Sequence, residues 1–339
     1  MAHQRIEAQT TFTRLLAEKP VLIADGGMGT SLFALGMEAG ASPELLNVTD
    51  PAMIRTAQKG FLDAGSDIIL TNTFGGTRRR LALHQAEERV EELNQAAVKI
   101  LKELVDEYDR PIAIAGSVGP TGDLFAPLGV LDHDTAVEVF SEQIRALASA
   151  GVDVIWIETM SSREELQAAY EAAVPTGLPI VTTMSFDTNG KTMMGFSPED
   201  LAEWSRTRDV PPAAVGANCG VGAGDVIVAV QELAQARPNT AIVSKANCGL
   251  PAYTDGHLDY PHGPETMVDY VELAMRAGAR IIGACCGSTP EHIAAIITAA
   301  DQYRAAALIT RDEIAQRLFL QEAPTVSGER RTRRRRRSG

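Results

Sequence analysis

The sequence of 339 residues contains no apolar run of the roughly 18 residues that a membrane span requires. Its first residues lack the basic start and apolar stretch of a secretory signal. Its four cysteines are too few for a disulfide framework in a chain of this length. We therefore expect a cytoplasmic protein, in which clustered cysteines indicate a metal site or a reactive thiol.

Positive charge is scarce outside one terminal segment. The net charge is −13, but the last eleven residues, ERRTRRRRRSG, contain seven Arg and one Glu. The rest of the chain therefore carries −19, which argues against a nucleic-acid-binding domain. We predict that residues 323–339 form a disordered basic tail, because such charge runs are usually solvated. We expect no nucleic-acid or membrane partner, and RNA binding through the tail is the weaker alternative.

A dinucleotide-binding fingerprint is also missing, because the glycines of DGGMGT after the first apolar run have the wrong spacing. Eight strand-like runs instead alternate with helical segments. These runs cover 21–27, 67–74, 112–119, 153–160, 179–186, 213–220, 241–249 and 280–287. Eight such units predict an α/β fold, a single (β/α)8 TIM barrel over residues 17–305. A doubly wound sheet is the alternative. We place an N-terminal extension at 1–16 and an extra helix at 306–322.

The four cysteines all lie at the carboxyl ends of predicted strands, at the end of the barrel where active sites lie. Cys285 and Cys286 are adjacent, and a disulfide between neighbours is strained. No Cys-x2–4-Cys pair of a structural zinc site is present. With Cys219, they predict a three-thiolate zinc site with one open position, suited to binding another thiolate. For Cys248, a buried inert thiol is an equally good interpretation.

Two carboxylates, Asp25 and Glu158, also stand at predicted strand ends. Each has a simpler interpretation, a helix N-cap or turn for Asp25 and a surface position for Glu158. Together they could receive a substrate ammonium group, while Gly26 and Gly27 let backbone N–H groups approach its carboxylate. These residues predict a zinc-bound thiol whose other end is an amino acid. Two asparagines at strand ends are further candidates for substrate binding, Asn72 and Asn247.

The motifs DGGMGT, TNTF, GSVGP, IETM, GANCG and GACCGSTPEHI occur in this order between about residues 17 and 305. In order and approximate spacing they resemble the homocysteine S-methyltransferase family, although Ala284 stands where Gly is commoner. The resemblance implies a zinc ion on Cys219, Cys285 and Cys286 that binds homocysteine as its thiolate. It also implies amine contacts from Asp25 and Glu158, and methionine as product. Cys248 then lies outside the metal site.

The methyl donor differs among members of the family, which use betaine, S-methylmethionine or methylcobalamin. Enzymes that use betaine carry aromatic residues near three places, which here read Ala-Ser-Pro-Glu at 41–44, Gly-Gly at 75–76 and Glu-Thr at 158–159. A quaternary ammonium prefers aromatic faces, so their absence argues against betaine. Three other rings could still supply such a face, Trp156, Tyr253 and Tyr260.

The motifs IETM and NCGLP resemble the homocysteine-binding module of cobalamin-dependent methionine synthases. We therefore expect a stand-alone homocysteine module that takes a methyl group from methylcobalamin on a separate corrinoid protein, with a separate folate protein as the methyl source. Betaine and S-methylmethionine are the alternative donors. A non-catalytic protein that binds zinc or homocysteine is the alternative of another class.

Overall fold

The computed structural model describes residues 9–236, 238–254, 257–304, 307–318 and 320. Its strands, in chain order, are β1 (Leu22–Ile23), β2 (Ile68–Leu70), β3 (Ala113–Val118), β4 (Val154–Met160), β5 (Ile180–Met184), β6 (Ala214–Cys219), β7 (Ala241–Ala246), β8 (Ala252–Thr254), β9 (His257–Asp259) and β10 (Ile281–Ala284). Strands β8 and β9 pair as an antiparallel hairpin. The other eight lie parallel in the order β1-β10-β7-β6-β5-β4-β3-β2. A bridge between Ala24 and Ile68 joins the two ends of this sheet. The predicted (β/α)8 barrel is confirmed.

Helices connect the barrel strands. In the described residues they are α1 (Thr11–Glu18), α2 (Met28–Ala34), α3 (Leu46–Thr49), α4 (Pro51–Ala64), α5 (Arg78–Leu81), α6 (Val90–Val105), α7 (His133–Ala150), α8 (Arg163–Ala173), α9 (Pro198–Arg206), α10 (Ala223–Ala236), α11 (Pro264–Ala277), α12 (Pro290–Gln302) and α13 (Arg311–Arg317). Gly65, Gly151 and Gly278 end α4, α7 and α11 with left-handed backbone, with φ of 112°, 92° and 104°. Glycine adopts this conformation without a steric penalty, so the chain can turn sharply into the next strand.

The barrel interior is packed with apolar side chains and is closed at one end by α1. Phe12 and Leu15 of this helix are 0% and 1% exposed and pack against Leu22, Ile68 and other inward-facing strand residues. Burying such side chains stabilises each by about 1.5–3 kcal/mol. Helix α1 therefore crosses the predicted boundary at residue 17 and belongs to the barrel core rather than to an extension.

The strands are shorter than the predicted runs at their carboxyl ends. The last run was expected to continue to residue 287, but β10 ends at Ala284 and Gly287 has a φ of 83°. Cys219, the last residue of β6, has a φ of 62°. The chain turns at these points, so the cysteines lie at the rim of the barrel rather than along its wall.

The C-terminal part of the described chain packs on the outside of the barrel. Arg276 of α11 forms an ion pair with Glu313 of α13, and Arg317 forms another with Asp269. Helix α13 lies within the range 306–322, where the sequence predicts an extra helix. The predicted tail at 323–339 lies outside the described residues. Across the described ranges, none of the helices has both the length and the apolar character that a membrane crossing needs.

Candidate metal and substrate site

Three sulfur atoms meet at the rim of the barrel. The Sγ atoms of Cys219, Cys285 and Cys286 all lie within 4.8 Å of one another. Tetrahedral zinc with Zn–S bonds of about 2.3 Å places its sulfur ligands about 3.8 Å apart. The three sulfurs are therefore close enough to hold one zinc ion together, and three such ligands leave one coordination position for another.

Asn247 joins the two segments that carry these cysteines. Its Nδ2 donates to the carbonyl oxygen of Gly220 at 2.7 Å and lies 3.6 Å from the Sγ atom of Cys219. Its Oδ1 accepts from the backbone N–H of Cys286 at 3.0 Å. The side chain thus holds the rim of β6 against the turn after β10. A substrate contact for Asn247 stays a prediction.

Hydrogen bonds within the cluster give the thiols different pKa values. Thiols of Cys285 and Cys286 donate to the sulfur of Cys219, which lowers the pKa of Cys219 and raises the pKa of Cys285. Cys248 is fully buried, its backbone N–H donates to the carbonyl oxygen of Cys286 at 3.0 Å, and burial raises its pKa to about 12. Within the described chain, Cys248 lies beside the sulfur cluster but is not a member of it.

A cavity of about 330 Å³ opens beside the sulfur cluster. Eight of the nine site residues predicted from the sequence line it: Asp25, Gly26, Gly27, Asn72, Glu158, Cys219, Cys285 and Cys286. They come from segments far apart in the chain, and the barrel brings them together because all of them lie at or just beyond the carboxyl ends of strands.

Asp25 is buried and already has two donors. Its Oδ2 accepts from the backbone N–H of Leu70 and its Oδ1 from Nζ of Lys245, both at 2.7 Å. The interpretation of Asp25 as a helix N-cap is wrong, because Gly27 occupies that position at the start of α2. Lys245 also lines the cavity, although it is not among the site residues predicted from the sequence. The available signal was a lone charged residue in the apolar run AIVSKA of β7.

Glu158 is 8% exposed and accepts a hydrogen bond from the hydroxyl of Ser117, so a surface position is wrong for it. Burial raises the pKa of Glu158, and the positive charge of Lys245 opposes this effect. The next residue, Thr159, has a φ of 61° and is held by Asn218, whose Oδ1 accepts from its N–H at 2.9 Å. This left-handed residue lies within β4, where the pairing with β5 shifts register between Ile157 and Met160.

The loops after β1 and β2 complete the inner wall. A Cβ atom on Gly27 would lie 2.6 Å from the carbonyl oxygen of Cys285, so only glycine allows this close approach. The N–H of Gly27 already donates to Oγ of Ser288 at 2.8 Å. Asn72 donates through Nδ2 to the carbonyl oxygen of Pro43 at 2.7 Å and to Asn47 Oδ1 at 2.9 Å. Its side chain therefore fixes the rim of the cavity.

Aromatic side chains near the site are few. Phe74 lines the outer part of the cavity and is 38% exposed. Of the rings considered from the sequence, Trp156 is fully buried in the barrel, and Tyr260 forms a hydrogen bond with the thiol of Cys286. The side chain of Tyr253 lies outside the described residues. Among the described side chains that line the cavity, Phe74, which follows the second strand, is the one that offers a phenyl ring.

The fold and this site define a barrel enzyme whose chemistry centres on a cluster of cysteine sulfurs beside buried charges. Residues 22–300 match the family model described as homocysteine S-methyltransferase. The chain belongs to this family and is a methyltransferase.

Relatives of known name agree with this assignment. The chain is 27% identical to a methionine synthase from Mycobacterium tuberculosis over 298 residues and 26% identical to one from Mycobacterium leprae over 309. These matches cover 82% and 86% of this chain but only 24% and 25% of the relatives, so the chain spans about a quarter of their length.

A solved structure shares the fold over nearly its whole length. The metallated form of the homocysteine methyltransferase MmuM from Escherichia coli superposes with a TM-score of 0.70 at 24% identity. The match covers 85% of this chain and 99% of MmuM. At this identity the likeness shows the fold alone.

Proposed function

We propose that the protein is a zinc-dependent homocysteine S-methyltransferase that forms methionine. The observation that carries the proposal is the three-sulfur cluster at the wall of a cavity that also contains Glu158 and Asp25. One small molecule in the cavity can therefore contact both the sulfur cluster and the carboxylates. Membership of the family supports methyl transfer to homocysteine as the reaction, and the positions of the three sulfur atoms support zinc as the metal.

Cys219, Cys285 and Cys286 would hold the metal as thiolates. When bound, zinc lowers the pKa of the substrate thiol, so that homocysteine binds as a thiolate and releases a proton. Glu158 and Asp25 supply charges beside the cluster that orient the amino-acid end of the substrate. A lone pair of the sulfur then forms the new S–CH3 bond in line, while the bond between the methyl group and its donor breaks and its electron pair stays on the donor. The protein contributes mainly by positioning the two reactants. The methyl transfer itself requires no general acid or base.

Two kinds of methyl donor have support. The similarity to methionine synthases, of which this chain spans only one part, supports methylcobalamin on a separate corrinoid protein, with a folate protein as methyl source. The cavity supports a small donor, betaine or S-methylmethionine, bound beside homocysteine. Its volume of about 330 Å³ is in the range of whole small-molecule sites, about 300–1,000 Å³, and Phe74 offers an aromatic face. On geometry we place the small donor first.

The test is methionine formation by the zinc-loaded protein given homocysteine and one donor at a time: betaine, S-methylmethionine or methylcobalamin. Product is measured by mass spectrometry, with the Cys285→Ala variant as the control. Methionine from a small donor alone supports the first choice, and methionine from methylcobalamin alone supports the corrinoid route. If none of the three gives methionine while homocysteine binds, the non-catalytic alternative replaces the proposal.

A further inference from the structure

Lys245 is a buried cation in the wall of the cavity. Its side chain is 3% exposed, and its strand lies between β6 and β10, with Asn218 and Gly283 as its neighbours in register. An ammonium group has three N–H donors. Within the described part of the chain, one hydrogen bond leaves this group, to Asp25 Oδ1 at 2.7 Å. Two donors therefore remain for a ligand in the cavity.

The charges around Lys245 explain why it is buried there. Burial lowers the pKa of Lys245, but the attraction of Asp25 and Glu158 for the ammonium group outweighs this effect and raises it. Its Nζ atom also lies 5.7 Å from the centre of the Trp156 ring. An isolated buried charge is costly, and it is stabilised by paired and hydrogen-bonded neighbours.

The two carboxylates are not equally available to a substrate. Both oxygens of Asp25 already accept hydrogen bonds, one from Lys245 and one from Leu70. Glu158 accepts one hydrogen bond from Ser117 through Oε1. A substrate ammonium at Asp25 would also approach the like charge of Lys245. The ammonium therefore has its better partner in Glu158.

The carboxylate of an amino-acid substrate needs hydrogen-bond donors, and Lys245 has two that remain in the cavity wall. The N–H of Gly27 is already engaged by Ser288. We propose that Lys245 binds the α-carboxylate of homocysteine while Glu158 receives the ammonium group. Asp25, Lys245 and Glu158 then form an alternating array of charges that is complementary to a zwitterion. This inference rests on the proposed function, since it requires an amino-acid thiol as substrate.

The competing explanation is that Lys245 only neutralises Asp25. The two roles are separated by comparing L-homocysteine with 3-aminopropane-1-thiol, which keeps the thiol and the amine but lacks the carboxylate. Binding of each compound is measured by calorimetry on the zinc-loaded wild type, on Lys245→Met and on the double variant Asp25→Asn/Lys245→Met. The matched control is Lys99→Met, at a lysine on α6 whose side chain is 78% exposed. The zinc content of every preparation is measured as well.

We expect Lys245→Met to weaken homocysteine binding by about 10–100-fold, the effect of one charge-assisted hydrogen bond. The affinity for the analogue should change by less than about 3-fold, which is less than the loss of one charge-assisted hydrogen bond would cause. Zinc content should stay at the wild-type level, and Lys99→Met should behave as wild type. If Lys245→Met does not fold, the double variant carries the test, because it removes both partners of the buried ion pair. It should show the same selective loss for homocysteine.

Equal losses for both compounds would overturn the inference, as would recovery of homocysteine affinity in the double variant, since both results indicate charge neutralisation only. A wild type that binds zinc but not homocysteine contradicts the proposed function itself. A wild type that binds homocysteine without any selective loss in the variants contradicts only the role of Lys245.

Discussion

The two ends of the barrel contain the same local arrangement, an aspartate that accepts from a strand N–H and from a lysine. At the end closed by α1, Asp67 accepts from the N–H of Ile23 at 3.0 Å and pairs with Lys19 at 2.5 Å. At the open end, Asp25 accepts from Leu70 and pairs with Lys245, both at 2.7 Å. The side chain of Lys19 is 46% exposed, whereas that of Lys245 is 3% exposed.

This difference separates structure from function. An ion pair with one solvated partner contributes little, about 0–1 kcal/mol, and needs no other purpose than closing the barrel. A pair removed from water is expensive to bury and is a poor way to add stability. We interpret its presence next to three thiols and Glu158 as a provision of fixed charges for a ligand. On this interpretation, the end with α1 contributes to the stability of the fold, and the open end is proposed to position a substrate.

The largest difference between the two ends should appear in zinc binding, when one sulfur at the open end is removed. We expect Cys285→Ser and Cys286→Ser each to lower zinc affinity by more than about 100-fold, because loss even of groups that merely orient a ligand costs 10–100-fold. Methyl transfer should fall with zinc content. Cys248→Ala is the matched control, since Cys248 is buried beside the cluster but outside it. Zinc retained at wild-type levels in both serine variants would reject these residues as ligands.

The next effect compares the two aspartates directly. Asp25→Asn removes the carboxylate that is hydrogen-bonded to the buried Lys245, so we expect it to lower the free energy of unfolding by about 3–5 kcal/mol. Asp67→Asn leaves Lys19 in contact with water, so its cost should be about 1–2 kcal/mol, that of a weakened hydrogen bond. Urea unfolding of the two variants measures both values.

Homocysteine affinity provides the second half of that comparison. Asp67→Asn should bind homocysteine as the wild type does, because Asp67 lies at the end of the barrel remote from the cavity. Asp25→Asn should bind it more weakly, since it alters the charge array. Equal destabilisation by the two substitutions, or an affinity change in Asp67→Asn, contradicts the division between the two ends.

Much of this organisation could be predicted from the sequence. Alternating apolar runs and helical segments give the barrel, and a barrel places residues that follow its strands at one rim. Cys219, Cys285, Asp25 and Glu158 were therefore identified without knowing how the strands pair. These residues meet at one rim because of the barrel topology, and the eight strand–helix repeats in the sequence predict that topology.

The buried cation could not be predicted in the same way. Lys245 lies within a strand, and whether its side chain meets solvent or the cavity depends on the register of β7 against β6 and β10. Strand ends were also too long in the prediction, because glycine and cysteine residues with positive φ end the pairing where the apolar pattern continues. The role of Phe12 in closing the barrel likewise depends on packing between distant segments.

The smallest expected effect concerns Glu165, which supports a loop at the open end without facing the sulfur cluster. It is 4% exposed, and its Oε1 accepts from the N–H and the hydroxyl of Thr121 at 2.8 and 2.7 Å. Burial raises the pKa of Glu165, although the hydrogen bonds from Thr121 oppose this. The folded protein therefore retains a proton that the unfolded chain releases at about pH 4.3. Stability from this group is complete below that pH and declines as the pH rises through the raised pKa.

Glu165→Gln removes this titration and keeps an amide oxygen as acceptor for Thr121. Relative to wild type, the variant should gain stability as the pH rises from about 4 to about 7, because only the wild type must bury a charge there. Urea unfolding across this range measures the difference, with Glu103→Gln on the exposed face of α6 as the control. Curves for Glu165→Gln and wild type that stay parallel at every pH contradict the prediction, and they would mean that Glu165 is solvated at this end of the barrel.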